Sequence, residues 1–283
     1  MRRPLPAFAI ASLLAVAAGV VVCGLSGVPA GVWGRNVAAW VLGGLMAAGL
    51  ARWAGGKTLL AFAVLTPIGL AAPMLAHGQQ GVHRWLDLGP LHMNAAMLLL
   101  PAGVVALTVL VQRAAWLWIA ALLGLGALVL QPDGSQAAAF ASALCIVAIG
   151  MPERSRPVRW GIALLAALLA AVAWTRPDPL APVPEVEGVL GLAAQLSPLL
   201  SVVAVLGLAA FAATPAWVAH RLPAKEVRTA GYALSGLFLI WSVAPALGAF
   251  PVPLVGMGPS PILGAWLGVG VLAAAARFAS SRA

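Results

Sequence analysis

Long apolar runs alternate with short polar breaks along the whole chain. Most runs come close to the ~20 residues a helix needs to cross a hydrocarbon core of ~30 Å. The pattern predicts ten spans, at roughly 7–26, 32–51, 58–76, 92–112, 114–130, 136–151, 160–174, 188–218, 229–249 and 261–279. The sixth and seventh runs are short enough to be partial spans. The eighth is long enough to tilt or to hold an interfacial turn, and Pro198 and Pro215 mark kinks or ends inside it. Pro67 and Pro101 sit where they would bend two further runs. Alternating strands of about ten residues, the signature of an outer-membrane barrel, are missing.

One break differs in kind. Thr175–Glu187 reads TRPDPLAPVPEVE, and its four prolines (Pro177, Pro179, Pro182 and Pro184) exclude a regular helix or an inner strand. It holds Asp178, Glu185 and Glu187, three of the seven acidic residues in the chain. A stiff acidic loop between two spans is the first place to look for chemistry.

Composition agrees with the pattern. The chain is 63% hydrophobic and 8% charged, with mean hydropathy +1.02; soluble domains carry roughly 25% charged residues. The 283 residues therefore form a single polytopic membrane domain, all-α, with little mass outside the bilayer. Alanine, leucine and glycine dominate the runs, which suits closely packed helices. Cys23 and Cys145 each lie in an apolar run and read as buried small hydrophobes. The basic, apolar N-terminus lacks a clean small-residue cleavage site and reads as an uncleaved first span.

The net charge of +9 points to topology rather than nucleic acid, because no basic patch with interleaved aromatics exists. With the N-terminus in the cytoplasm, every lysine and arginine except Arg35, Arg84 and Arg176 falls inside, as the positive-inside rule requires. An even number of spans then leaves both termini cytoplasmic. Asp87, Asp133, Asp178, Glu185 and Glu187 fall outside, and Glu153 and Glu226 inside.

Three outer loops carry more than generic loop residues. They are GVHRWLDLGPLHMN (Gly81–Asn94), LQPDGSQA (Leu130–Ala137) and LGAFPVPLVGMGPSPILGAWLGVG (Leu247–Gly270). In order and spacing they resemble the SEDS family of shape, elongation, division and sporulation proteins, the FtsW/RodA/SpoVE type of peptidoglycan polymerase. That family's landmarks are a G-x-x-RW-(I/L)-D-L-G loop, a Q-P-D-x-G-T loop and a P-L-P-F-x-S-Y-G-G-S-S lead into the last helix. The resemblance runs from about Gly81 onward; the first three spans match in number and orientation alone. It implies a ten-helix, GT-C-related bundle with a shallow outer cavity between the outer ends of the fourth, fifth, eighth and tenth helices. The family's Q-P-S-E-x-x-K helix start is Asn94-Ala95-Ala96-Met97 here, with Leu100 in place of the lysine, and S-Y-G-G-S-S is Gly256-Met257-Gly258-Pro259-Ser260-Pro261.

What the resemblance implies is a glycosyl transfer at the outer face of the bacterial inner membrane. A sugar hydroxyl attacks the anomeric carbon of an undecaprenyl-linked pyrophosphate donor, lipid II, during wall synthesis, cell division or shape control. Such a step needs a general base and cationic stabilisation of the leaving pyrophosphate. Aligned on the helix that follows, Glu187 takes the place of the family's essential aspartate and is the candidate base, with Asp178 and Glu185 as alternates. Its plain alternative is a solvated loop acid or a charge favoured by the N-terminal end of a helix dipole. Arg84 and Arg176 are candidate pyrophosphate ligands, because a guanidinium is always charged and can bind two oxygens. Trp85 reads equally as a sugar platform and as an aromatic-belt residue. Asp133 reads as an N-cap of the sixth span and, by its motif, as a substrate contact.

The histidines His77, His83 and His92 are spaced six and nine residues apart, unlike a zinc site. No cofactor or resident metal is expected, though a divalent cation could accompany the pyrophosphate. The expected partners are the lipid-linked precursor, membrane lipid and a class B penicillin-binding-protein-like subunit. Two other readings remain. One is a catalytically degenerate relative that binds precursor or scaffolds a wall-synthesis complex, favoured by the apolar Met97 and Leu100. The other is a precursor flippase, disfavoured by the scarcity of ionisable residues inside the spans.

Overall fold

A computed structural model describes residues 4–89, 91–150 and 154–280. Arg2, Arg3, Glu153 and Arg282, all assigned to the inner side by charge, lie outside the described residues. The helices are α1 (Pro4–Leu25), α2 (Ala30–Trp53), α3 (Gly56–Ala71), α4 (Ala95–Leu110), α5 (Leu117–Leu130), α6 (Gly134–Ile149), α7 (Arg156–Thr175), α8 (Val189–Leu196), α9 (Pro198–Ala219), α10 (Lys225–Val243) and α11 (Pro259–Ser280). Among the described residues six helical stretches, with α3 extended by a 3-10 turn to Leu75, are long and apolar enough to cross a membrane, and α4, α5 and α6 are shorter apolar helices. The chain is a multi-pass membrane protein, and the ten expected spans are all helical.

Several boundaries differ from the sequence pattern, three of them with a visible local cause. The seventh span is a full twenty-residue helix, because Arg156 and Pro157 begin it a turn earlier and Pro is well suited to a first helical turn. The eighth divides into α8 and α9: Ser197 is extended, accepts the Leu199 N–H at 3.2 Å, and hands the chain to Pro198 as the first residue of α9. The fourth begins at Ala95 rather than 92, because the preceding residues form an unforeseen antiparallel hairpin, β1 (Trp85–Leu88) with β2 (Leu91–Asn94). Gly89, at φ +63°, supplies the turn. Asn94 then caps α4 by accepting the Met97 N–H at 2.9 Å.

α11 lies at the centre of the bundle and α7 at its edge: 67% of the apolar stretch of α11 is buried inside the protein against 22% of that of α7. Small residues set the central contact. A Cβ on Gly264 would lie 1.9 Å from the Met97 carbonyl oxygen, and one on Gly268 would lie 2.6 Å from the Pro101 ring. Helix α11 therefore meets α4 backbone to backbone, the packing that small-residue spacings allow in lipid. An aromatic cluster joins α1, α9, α10 and α11: Phe8 meets Trp266 edge-on at 5.0 Å, and Phe211 stacks on Phe238 at 4.3 Å.

The interior proline of α9 is covered from its neighbour. Next to Pro215, the Ala216 N–H donates to Ser235 Oγ of α10 at 2.8 Å. Such side-chain support is how membrane helices tolerate proline. At the inner end, Arg277 of α11 donates to the Ala51 carbonyl (2.9 Å) and the Ala54 carbonyl (2.6 Å) at the end of α2. The C-terminal ends of α2 and α11 therefore share one side of the bundle, the side on which the charge pattern puts Arg52 and Arg277.

Candidate functional site

At the opposite end of the bundle, a cavity of about 550 Å3 opens among four groups of residues. They are residues 79–84 with the β1–β2 hairpin and the first turn of α4, the start of α6, the 178–187 loop, and the 249–261 segment leading into α11. The helices at its mouth are thus α4, α6, α8 and α11; α6 takes the place expected for the fifth span. Of the candidates, Arg84, Trp85, Asp133, Asp178 and Glu187 line it, and Arg176 and Glu185 do not.

Arg84 binds the cavity's strands together. Its guanidinium is nearly enclosed, with 9% side-chain exposure. Nη1 meets Asp178 Oδ2 at 2.7 Å, and Nη2 donates to the Pro132 carbonyl. Nε faces Asp133 Oδ2 at 3.7 Å, too far for a hydrogen bond, so that pair is purely electrostatic. One cation therefore serves two carboxylates from segments 45 residues apart in sequence (133 and 178). Asp133 also caps α6, accepting the Gln136 N–H at 3.4 Å. Burial pushes its carboxyl above the ordinary carboxylate range, and Arg84 pulls back against that shift.

Glu187 stands apart from this cluster. It precedes α8, and its Oε2 accepts the Val183 N–H at 2.7 Å, closing the loop on itself. Among the described residues it makes no ion pair. Partial burial raises its pKa, the Val183 hydrogen bond opposes this, Asp178 adds to the rise, and Arg84 opposes it more weakly. A carboxylate with a raised pKa and an open side toward a cavity can exchange a proton with a bound hydroxyl.

The hairpin supplies the third wall. Antiparallel register sets Trp85 opposite Asn94 and Asp87 opposite His92, so these four share one face. The Trp85 indole lies nearly parallel to the His92 ring, with centroids 5.3 Å apart. His92 Nδ1 is paired with Asp87 Oδ1, and Nε2 lies 3.1 Å from Gln79 Nε2. In the sequence His92 is weighed only as a metal ligand and Gln79 carries no signal, yet both line the cavity. Four-residue strands around a Gly-Pro pair are too short to display their alternation.

On the floor, Trp241 Nε1 donates to Gln136 Oε1 at 2.7 Å, and the Asn94 N–H donates to Ser260 Oγ at 2.9 Å. Apart from Gln80 and Ser135, the rest of the lining is apolar, including Met97, Leu180, Val183, Val252 and Met257.

The two remaining candidates lie outside the cavity lining. Arg176 Nη1 donates to the Val129 carbonyl at 3.0 Å, at the C-terminal end of α5. Glu185 gives its backbone carbonyl to the Met257 N–H at 2.9 Å. For a divalent cation the donors do not fit. Asp133 and Asp178 both face Arg84, and among the described residues no group of three His, Cys, Asp or Glu side chains converges.

Comparison with known proteins bears on the fold. No family model matches the chain, and no curated protein matches it. Solved structures do. A point-mutant form of the rod shape determining protein RodA of Thermus thermophilus aligns over 95% of this chain and 96% of its own, at 22% identity and TM-score 0.74. The unmutated RodA from the same organism aligns over 95% of both chains at 20% identity and TM-score 0.62. A chain from work on the structural coordination of polymerization and crosslinking by a peptidoglycan synthase complex covers 95% of this chain and 96% of its own, at 19% identity and TM-score 0.68. Over 95% of its length the chain has the RodA fold, the SEDS-like bundle that its outer-loop motifs led one to expect.

Proposed function

We propose that this protein is a SEDS-type glycan polymerase that extends a lipid-linked peptidoglycan precursor at the outer face of the bacterial inner membrane. The observation that carries the reading is the convergence of Arg84, Trp85, Asp133, Asp178 and Glu187 on one cavity at the outer end of a RodA fold. Orientation follows from the charge pattern: the cavity lies at the end opposite Arg52 and Arg277, hence outside.

The chemistry distributes over these residues. The acceptor hydroxyl attacks the anomeric carbon of the donor sugar, the bond to the lipid pyrophosphate breaks, and the hydroxyl proton passes to Glu187. Partial desolvation keeps Glu187 more basic than an ordinary carboxylate, which suits the role. Trp85, on the hairpin wall, offers an apolar face for a sugar ring. Arg84 is the cation for the departing pyrophosphate, and since its Nη1 already holds Asp178, the phosphate oxygens must displace that carboxylate. Asp133 stays beneath as the counter-charge that keeps Arg84 aimed into the cavity. Arg176 has no part in this scheme. The partner in this reading is a class B penicillin-binding-protein-like subunit, supported by the likeness to a chain of a complex that couples polymerization with crosslinking.

The test is polymerisation of purified lipid II by the full-length chain, alone and with such a partner, against a Glu187→Gln variant. Glycan ladders from the wild type and none from the variant are expected; equal ladders remove Glu187 as the base. A second reading, a precursor-binding scaffold without catalysis, is favoured by one observation. Leu100, where the family carries lysine, is fully buried, and Met97 presents an apolar side chain to the cavity. On that reading lipid II binds and no ladder forms with any partner.

A further inference from the structure

Helix α2 lies far from every motif in the sequence, yet it carries one polar side chain into the core. Its buried face consists of Asn36, Ala39, Gly43 and Ala47, and Asn36 is 0% exposed. A buried amide in an apolar bundle is costly unless both of its ends are satisfied. Both are. Asn36 Nδ2 donates to the Gly256 carbonyl at 2.9 Å, and Asn36 Oδ1 accepts the Gly258 N–H at 3.0 Å. One partner accepts and the other donates, so only one orientation of the amide fits. A single side chain thus clamps a segment 220 residues away that lines the cavity.

The clamped segment in turn holds the loop before α8. Val252 N–H donates to the Val186 carbonyl at 3.1 Å, and Met257 N–H donates to the Glu185 carbonyl at 2.9 Å. Gly256 is pressed so closely between them that a Cβ there would lie 2.5 Å from the Val186 oxygen and 2.7 Å from the Val252 oxygen. Val186 and Glu185 immediately precede Glu187. A continuous path of hydrogen bonds and backbone contact therefore runs from Asn36 through Gly256–Gly258 to the residues that carry Glu187.

We infer that Asn36 is a positioning residue for Glu187: by fixing Gly256 and Gly258 it sets where the 183–188 turn presents its carboxylate to the cavity. This rests on the proposed role of Glu187 as the base, and it assigns a part in the site to a helix that contributes no lining residue. Asn36 itself does not touch the acceptor or donor.

The test uses the full-length chain in lipid nanodiscs, read by amide hydrogen exchange and by lipid II polymerisation. Asn36→Leu keeps the bulk and removes both hydrogen bonds. It should speed exchange in residues 252–258 and 183–188 by about tenfold or more, the scale expected when buried hydrogen bonds are lost from a local opening equilibrium. Amides of α4 should keep wild-type protection. In polymerisation kcat should fall with little change in KM for lipid II, whereas a merely structural role would lower the amount of folded protein and leave the kinetics of the remainder normal. Asn36→Asp gives a second reading should the leucine variant not fold. A neutral carboxylic acid can donate to Gly256 and accept from Gly258, whereas an ionised one cannot donate. Its exchange relative to wild type should be near normal at acidic pH and fast at alkaline pH. Unchanged exchange at 252–258, or loosening there with 183–188 still protected, overturns the inference. Should the wild type bind lipid II and form no glycan, the polymerase reading fails, and the exchange measurements still decide whether Asn36 holds the Glu187 turn.

Discussion

Asp133 and Glu187 face the same cavity, burial raises the pKa of both, and each accepts a backbone N–H, yet they differ in how far they are enclosed and in what they are paired with. Asp133 is enclosed, caps α6 and shares Arg84 with Asp178. Glu187 is half-buried, takes one backbone hydrogen bond and has no cation of its own among the described residues. The first is held by a network that would have to be dismantled before the carboxylate could do anything else. The second is held by a single backbone hydrogen bond from Val183, and it is the carboxylate to which the proposed mechanism gives the proton. Two carboxylates given different roles by their environments is a recurring way for one site to separate holding from reacting.

That contrast is sharpest at Arg84. Replacing it with alanine leaves Asp133 enclosed without a counter-charge, a class of change that costs about 3–5 kcal/mol. Arg84→Ala should therefore lower the melting temperature and yield of detergent-purified protein more than any other cavity variant. A fully stable, inactive Arg84→Ala protein would break the distinction, because it would make Arg84 a purely reactive group.

Glu187→Gln should do the opposite, cutting polymerisation by about 10²–10⁴-fold, the usual range for a general base, with little loss of fold. The pH dependence has a definite sign. Activity needs the ionised form, so the wild-type rate should rise with pH through a value above the ordinary carboxylate range, and that limb should vanish in the variant. Folding favours the protonated form, because the folded pKa is raised. The stability that Glu187 contributes is therefore present below the unfolded carboxylate pKa and lost as pH rises through the folded one. Thermal melts above that range should show Glu187→Gln at least as stable as wild type.

Asp178→Asn tests the exchange of ligands at Arg84. The pair is partly exposed, at 26% on the Asp178 side, and pairs near the surface contribute about 0–1 kcal/mol. Freed of its competitor, Arg84 should bind lipid II about two- to fivefold more tightly, seen as a lower KM. A higher KM would mean that Asp178 serves substrate directly. The smallest effect is expected from Arg176→Ala, which removes a hydrogen bond to the end of α5, worth about 1 kcal/mol. Polymerisation by that variant should equal wild type; a deep loss would return Arg176 to the site.

Much of this was legible in the chain itself. Apolar run length and the placement of Lys and Arg were enough for ten spans and their common side, and Pro198 marked the point where the eighth divides. The outer-loop residues matched a family whose fold the chain shares. What escaped detection depends on partners distant in sequence. Arg84 and Arg176 look alike as lone outer cations, and only folding gives one of them two carboxylates and the other a helix carbonyl. Glu185 and Glu187 are two residues apart, and whether each side chain reaches the cavity depends on how the 252–257 backbone docks beside them. Asn36 carried no signal beyond being an amide near the outer end of an apolar run. Its meaning lies in two backbone groups more than two hundred residues away.

The contact of Gly264 with the Met97 carbonyl has a mechanical consequence. With no side chain between the two backbones, α4 and α11 have no cushion to compress and no groove to slide along. The cavity floor therefore rests on two backbones in direct contact. On the proposed polymerase reading, a glycan advancing by one repeat after each addition would slide past this floor, and the contact it would have to open is the Arg84–Asp178 pair on the facing wall.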